Sequence, residues 1–88
     1  MKTRNERRAE KWQAVQRYKA IIGCETDGCD MREPVALQFD HIGGDKLGNV
    51  SDLIASDYGM KRIMAEIAKC RVLCANHHAL VTHARKGG

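Results

Sequence analysis

The chain has 88 residues and a formal net charge of +4, and 43% of its residues are hydrophobic but only 5% are aromatic. A chain this short with so few rings forms one small domain with a thin core, so a stabilising cross-link is expected. No apolar run approaches the roughly 18 residues of a membrane span, and the charged first residues argue against a signal peptide. These features predict a cytoplasmic protein with no membrane partner, whose cysteines more often bind metal than form disulfides.

The charge falls into three blocks. Residues 1–22 hold seven Lys or Arg and two Glu, residues 23–59 hold two Lys or Arg and eight acidic residues, and residues 60–88 hold six Lys or Arg and one Glu. Basic flanks around an acidic middle indicate a surface that binds a polyanion, with a carboxylate-lined metal site within it. The plainer alternative is the mildly basic, solvated surface of many small proteins.

The first predicted element is a helix over residues 3–21, which Gly23 ends. Five of its side chains recur every three or four residues and therefore share one face: Ala9, Trp12, Val15, Tyr18 and Ile22. Basic residues occupy much of the remaining surface. Residues 1–22 are accordingly assigned to a basic amphipathic N-terminal helix.

Shorter elements follow in the rest of the chain. Residues 35–41 alternate apolar with polar side chains and predict a strand, and residues 71–73 predict a second one. Residues 51–55 predict a helical turn, residues 60–69 an amphipathic helix, and residues 75–85 the last helix. The pattern predicts an α+β fold. The apolar face of the helix predicted over residues 60–69 consists of Met60, Ile63, Met64 and Ile67.

Two short loops carry the residues expected to bind zinc. Cys24 and Cys29 are separated by four residues, and Cys74 and His77 by two. A structural zinc site needs four soft ligands in a tetrahedron, usually two from each of two loops. Cys70 competes for one ligand position, which would give a four-cysteine site, although inside a strand it can pack as a small hydrophobic residue.

A second group of residues has the chemistry of phosphodiester hydrolysis. Asp40 and His41 end the first predicted strand, and His78 begins the last helix. A hairpin would let Asp40 and His78 hold one divalent cation, which stabilises the leaving oxygen. His41 would then be free to take a proton from water, since the pKa of histidine lies near neutrality.

These segments resemble the HNH endonuclease family, the ββα-metal or His-Me finger nucleases, which include small phage and prophage nicking enzymes. The resemblance is carried by residues 37–42 (LQFDHI), residues 69–78 (KCRVLCANHH) and the Cys24–Cys29 pair before them. It implies that residues 23–88 form a small zinc-stapled ββα-metal nuclease domain, to which the N-terminal helix is added.

The resemblance also implies a role for each matching residue. His41 matches the general base, Asp40 and His78 the ligands of a catalytic Mg²⁺ or Mn²⁺, and position 77 the fourth ligand of a structural Zn²⁺ beside the three cysteines. The implied function is strand nicking of double-stranded DNA by a monomer in the cytoplasm of a bacterium or a phage-infected host. A phage packaging protein of the terminase type is a further implied partner.

The chain departs from the family pattern at three positions. Position 77 is usually Cys and here is His77, which keeps Cys70 open as an alternative ligand. The family's middle Asn falls on Lys69, so Asn49, in the loop after the Asp-His pair, is the best candidate for the loop-bracing role in the catalytic site. Val81 stands where many relatives carry a phosphate-contacting Lys.

Basic residues at both ends of the chain are expected to contact DNA phosphates, which makes binding salt-dependent. They are Arg4, Arg7, Arg8, Lys11, Arg85 and Lys86. Two other interpretations stay open. A zinc-stapled DNA-binding or adaptor module would leave the Asp-His pair without a role, and a redox or metal sensor using Cys70 and Cys74 would leave the basic helix unexplained.

Overall fold

The computed structural model describes residues 1–85, which form an α+β fold of four helices and a two-stranded antiparallel sheet. Every predicted element is present, with boundaries within a few residues of those expected. In chain order the elements are α1 (Arg4–Ile22), a 3-10 turn (Pro34–Ala36), β1 (Leu37–His41), α2 (Val50–Ala55), α3 (Met60–Ile67), β2 (Cys70–Cys74) and α4 (Ala75–Arg85). None of these helices is long and apolar enough to cross a membrane.

Local signals at both ends define α1. Thr3 accepts a hydrogen bond from the backbone of Glu6 at 3.2 Å, and Glu6 reaches back to the Thr3 backbone, which completes a capping box. At the other end Gly23 has a φ of 70° and donates to the carbonyl of Lys19 at 2.7 Å. A Cβ there would lie 3.2 Å from the Met31 carbonyl oxygen, so glycine is the residue that fits.

The buried face of α1 matches the prediction only in part. Val15 is buried and Tyr18 is half-buried, but Trp12 and Ile22 are partly exposed, and Lys19 is buried as well. The helix packs against the 3-10 turn and α2, and both of its buried residues lie in its second half. Helical periodicity identifies side chains that share a face, but it does not show how much of that face another element covers.

The strands pair in a register that determines which side chains share a face. Leu37 lies opposite Cys74, Asp40 opposite Arg71, and His41 opposite Cys70. Successive side chains on a strand point to opposite faces. Asp40 therefore lies on the face that α4 covers, and His41 lies on the face toward α3.

Two small hydrophobic clusters form the core. One joins α1, α2 and α3 through Val15, Val50, Leu53, Ile54, Ile63 and Ile67, and the other joins the sheet to the cysteine loop through Cys24, Leu37, Val72, Leu73 and Cys74. Tyr18 and Phe39 contact both clusters, and their rings lie 6.1 Å apart. The second cluster contains two buried cysteines, Cys24 and Cys74.

Candidate functional site

Four metal-ligand side chains converge beside the second core cluster. The ligand atoms of Cys24, Cys29, Cys74 and His77 all lie within 4.8 Å of one another. His77 Nδ1 is 3.0 Å from Cys74 Sγ and 3.6 Å from Cys24 Sγ. Zinc bonds of about 2.3 Å to sulfur and about 2.0 Å to nitrogen give a tetrahedral edge of roughly 3.6 Å. The cluster can therefore hold a structural metal such as zinc.

The local fold brings these ligands together. Cys24 follows the end of α1, where its backbone N–H donates to the Met31 carbonyl at 2.9 Å, and Cys74 ends β2 just before α4. The Cys74 N–H donates to Cys24 Sγ at 3.3 Å. Burial alone would raise the pKa of Cys24, but the backbone N–H groups of Cys74 and Thr26 outweigh it and lower that pKa to about 6. A thiol poised as thiolate is the form that binds metal.

Cys70, the alternative ligand, is not brought to the cluster. Its thiol donates to the backbone carbonyl of Glu66 at 3.4 Å. Burial raises the pKa of Cys70 to about 11, and the charges of Glu66 and Asp40 act in the same direction. It is a protonated structural thiol at neutral pH, so the geometry selects His77 over Cys70.

Asp40 and His78 meet between β1 and α4. His78 Nε2 lies 3.6 Å from Asp40 Oδ1. Arg85 donates to both carboxylate oxygens, at 2.8 and 2.9 Å, and Arg71 Nε donates to Oδ2 at 3.1 Å. Burial alone would raise the pKa of Asp40, but the two arginines hold it below its usual range. Asp40 is therefore an ionised carboxylate whose charge the protein itself neutralises.

His41 is held by a buried carboxylate that the sequence patterns missed. Its Nε2 lies 2.7 Å from Glu66 Oε2, and Glu66 is 1% exposed. Glu66 also accepts from the Leu47 backbone at 3.1 Å and from Lys69 Nζ at 3.0 Å. Burial alone would raise the pKa of Glu66, but these donors lower it to about 2.

The ionised state of Glu66 determines the tautomer of His41. A carboxylate only accepts hydrogen bonds, so His41 Nε2 must carry the proton. In the neutral ring the unprotonated nitrogen is then Nδ1, which is the atom that can act as a base. A sequence signal for Glu66 did exist, because it lies on the apolar face of α3 between Ile63 and Ile67, where a charge needs a partner.

The loop after β1 is braced through Glu66 and Lys69. Lys69 Nζ donates to the Asp45 carbonyl at 2.6 Å as well as to Glu66. Asn49, predicted for this role, precedes α2, and its side chain donates to Asp52 at 3.2 Å. Among the described residues, the side-chain contacts that brace this loop thus come from Lys69 and Glu66.

The predicted DNA-contacting residues have different surroundings. Arg7 and Lys11 bind the Asp57 carboxylate at 2.9 and 2.8 Å and so attach α1 to the turn before α3. Arg4 is exposed, and Arg8 is partly buried. Arg85 is engaged with Asp40, and Lys86 lies outside the described residues. Two of the four predicted DNA contacts on α1, Arg7 and Lys11, are therefore already paired with a carboxylate.

Comparison of the chain with protein-family models, curated proteins and solved structures finds no match. The functional interpretation therefore depends on the chain's own residues and geometry.

Proposed function

We propose that the protein is a metal-dependent DNA endonuclease of the HNH type that nicks one strand. The observation that carries this proposal is the approach of His78 to the ionised Asp40, 3.6 Å apart, next to a histidine whose tautomer is set by a buried carboxylate. The strand–strand–helix order of β1, β2 and α4 is the order that the resemblance implies, and it adds support.

Each residue then has a defined chemical task. When bound by Asp40 and His78, a Mg²⁺ or Mn²⁺ ion supplies a Lewis acid for the leaving oxygen. His41 accepts the proton of the attacking water at Nδ1, and the resulting positive charge on its ring is stabilised by Glu66. The metal cluster of Cys24, Cys29, Cys74 and His77 holds β2 and the start of α4 in place.

Arg85 has two tasks in this proposal. It pairs with Asp40 in the structure, and it would have to release that carboxylate for Asp40 to hold a divalent ion. The released guanidinium, with its side chain half exposed, then becomes a contact for a DNA phosphate. A single site on a monomer cuts one strand, so nicking is the expected product.

The test is a supercoiled-plasmid assay on zinc-loaded protein with Mg²⁺ or Mn²⁺ added, using His41→Ala and His83→Ala. His83 is exposed on α4 and controls for loss of an imidazole. We expect metal-dependent open circles from the wild type and His83→Ala, and a loss of about 10²–10⁴-fold in His41→Ala. Equal activity in both variants would remove His41 as the base.

One observation favours a second function, a zinc-stapled DNA-binding or adaptor module. Both oxygens of Asp40 are bonded to arginine, as in a purely structural ion-pair network. This alternative predicts that the protein binds DNA with strong salt dependence but leaves plasmid intact at every metal concentration. Intact plasmid together with DNA binding would therefore select the module over the nuclease.

A further inference from the structure

A pocket of about 250 Å³ lies between α1, β1 and α2, beside His41 but outside the two metal sites. Its wall combines the rings of Trp12 and Phe39 with the polar side chains of Lys19, His41 and Asn49. Ligand pockets for drug-sized molecules start at about 300 Å³. This pocket is therefore matched to a smaller group, such as one nucleotide unit.

Lys19 is the unusual residue of this pocket. The residue is 8% exposed, and among residues 1–85 no carboxylate pairs with its ammonium nitrogen, which is not one of the fully buried polar atoms. The nitrogen lies 5.6 Å from the centre of the Trp12 ring and 5.3 Å from that of Phe39. Cation–π contacts of this kind offset only part of the penalty for burying a charge.

The residues around Lys19 indicate the charge of the missing partner. No Asp or Glu lines the pocket, and apart from Lys19 and His41 its polar lining residues are uncharged. Burial lowers the pKa of Lys19, and an anion in the pocket would raise it again. A lysine ammonium that faces the pocket without a carboxylate partner, next to two aromatic rings, is complementary to a ligand that carries both a phosphate and a planar ring.

We propose that this pocket binds one nucleotide of the DNA strand, with its phosphate at Lys19 and its base against the partly exposed ring of Trp12. Base stacking on aromatic side chains together with a nearby cation is the general way in which proteins hold single-stranded nucleic acid. The proposal deepens the nuclease function and rests on it, since His41 lines the same pocket. The bound nucleotide would fix the position of the DNA strand next to His41, the proposed general base.

Trp12 is the chain's single tryptophan, so its fluorescence reports directly on this pocket. The experiment titrates zinc-loaded protein, without other divalent ions, with thymidine 3′,5′-bisphosphate, thymidine or inorganic phosphate. The variants are Lys19→Met and Arg17→Met. Both remove one positive charge from α1, but Arg17 is exposed.

We expect saturable quenching by the bisphosphate in the wild type and Arg17→Met, at least 10-fold weaker binding in Lys19→Met, and little effect of thymidine. Lys19→Met should keep or raise the melting temperature, because it removes a charge from a largely buried residue and replaces it with an apolar chain of similar length. No quenching in the wild type, or an affinity for the bisphosphate that is the same in Lys19→Met as in the wild type, would overturn the proposal that this pocket binds a nucleotide. If inorganic phosphate binds as tightly as the bisphosphate, the pocket is an anion site and does not recognise a nucleotide.

The two proposals fail in different ways. Nucleotide binding that depends on Lys19, without any plasmid nicking, would uphold the pocket and reject the nuclease. Normal nicking by Lys19→Met, with unchanged apparent affinity for plasmid, would uphold the nuclease and reject the pocket as its substrate subsite.

Discussion

The two ends of the β1–β2 strand pair differ in how their reactive groups are partnered. At the Leu37–Cys74 end, three thiols and an imidazole face one another in an arrangement that can hold a structural metal. At the His41–Cys70 end, Asp40 is paired with two arginines and His41 with Glu66. Under the proposed function an added ion stabilises the first end, whereas an ion at the second end would have to displace a partner of Asp40.

We therefore expect the first end to matter for folding and the second end to matter for function. Loss of the ion at the first end should unfold the domain, because two of its ligands belong to the smaller core cluster. Changes at the second end should leave the fold in place and alter chemistry, because the remaining partners still form ion pairs.

The largest expected effect is the removal of metal from the Cys3His cluster. Structural zinc contributes about 10 kcal/mol or more in small domains, comparable to the whole stability of about 5–15 kcal/mol. Chelation, or Cys24→Ser, should therefore abolish the thermal unfolding transition seen by circular dichroism. Cys70→Ser is the matched control and should retain one zinc per chain and a cooperative transition. Loss of zinc from Cys70→Ser instead would mean that the wrong fourth ligand was chosen.

Replacing Glu66 with Gln is expected to have the next largest effect, on catalysis. Gln preserves the size of the side chain but removes the charge that stabilises the protonated His41 ring. The nicking rate constant should fall by about 10–100-fold with little change in KM, because the effect acts on proton transfer. A change in KM alone would show that Glu66 serves only to hold the loop.

The smallest effect concerns acid stability. The pKa of Glu66 is about 2, below its ordinary value of 4.5, so its ionised form stabilises the fold. That contribution is fully present above about pH 4.5 and is lost as the pH falls toward 2. The melting temperature of the wild type should exceed that of Glu66→Gln by a constant margin from pH 7 to about 5, and the margin should shrink below. If the difference in melting temperature between the wild type and Glu66→Gln does not change with pH, the stabilisation by Glu66 comes from packing and not from its charge.

Local patterns in the sequence predicted the elements and the metal cluster. Cys24 and Cys29 share one short loop, and Cys74 and His77 share one turn, so spacing alone places each pair. The same is true of His78, which lies in the first turn of α4, directly after β2. In each case the pattern concerns residues that are close in sequence.

Contacts between distant residues were not predictable from spacing. Glu66 meets His41 across 25 positions, and Arg85 meets Asp40 across 45. The sequence places Lys19 among the basic residues outside the predicted apolar face of α1, yet it is buried in the fold. In each case a charged side chain on a packed face was the available signal, and its partner could be identified only once the fold was known.

The central proposal is that the β1–β2 strand pair carries a structural metal site at one end and a catalytic metal site at the other. Metal counting by electron paramagnetic resonance tests it most directly. Zinc-loaded protein is titrated with Mn²⁺, and free Mn²⁺ is measured for the wild type, Asp40→Asn and His83→Ala. The account predicts one Mn²⁺ per chain in the wild type and His83→Ala, at least 10-fold weaker binding in Asp40→Asn, and one zinc retained throughout. Absence of Mn²⁺ binding, or binding unchanged in Asp40→Asn, would contradict it and leave Asp40 as a structural ion-pair residue.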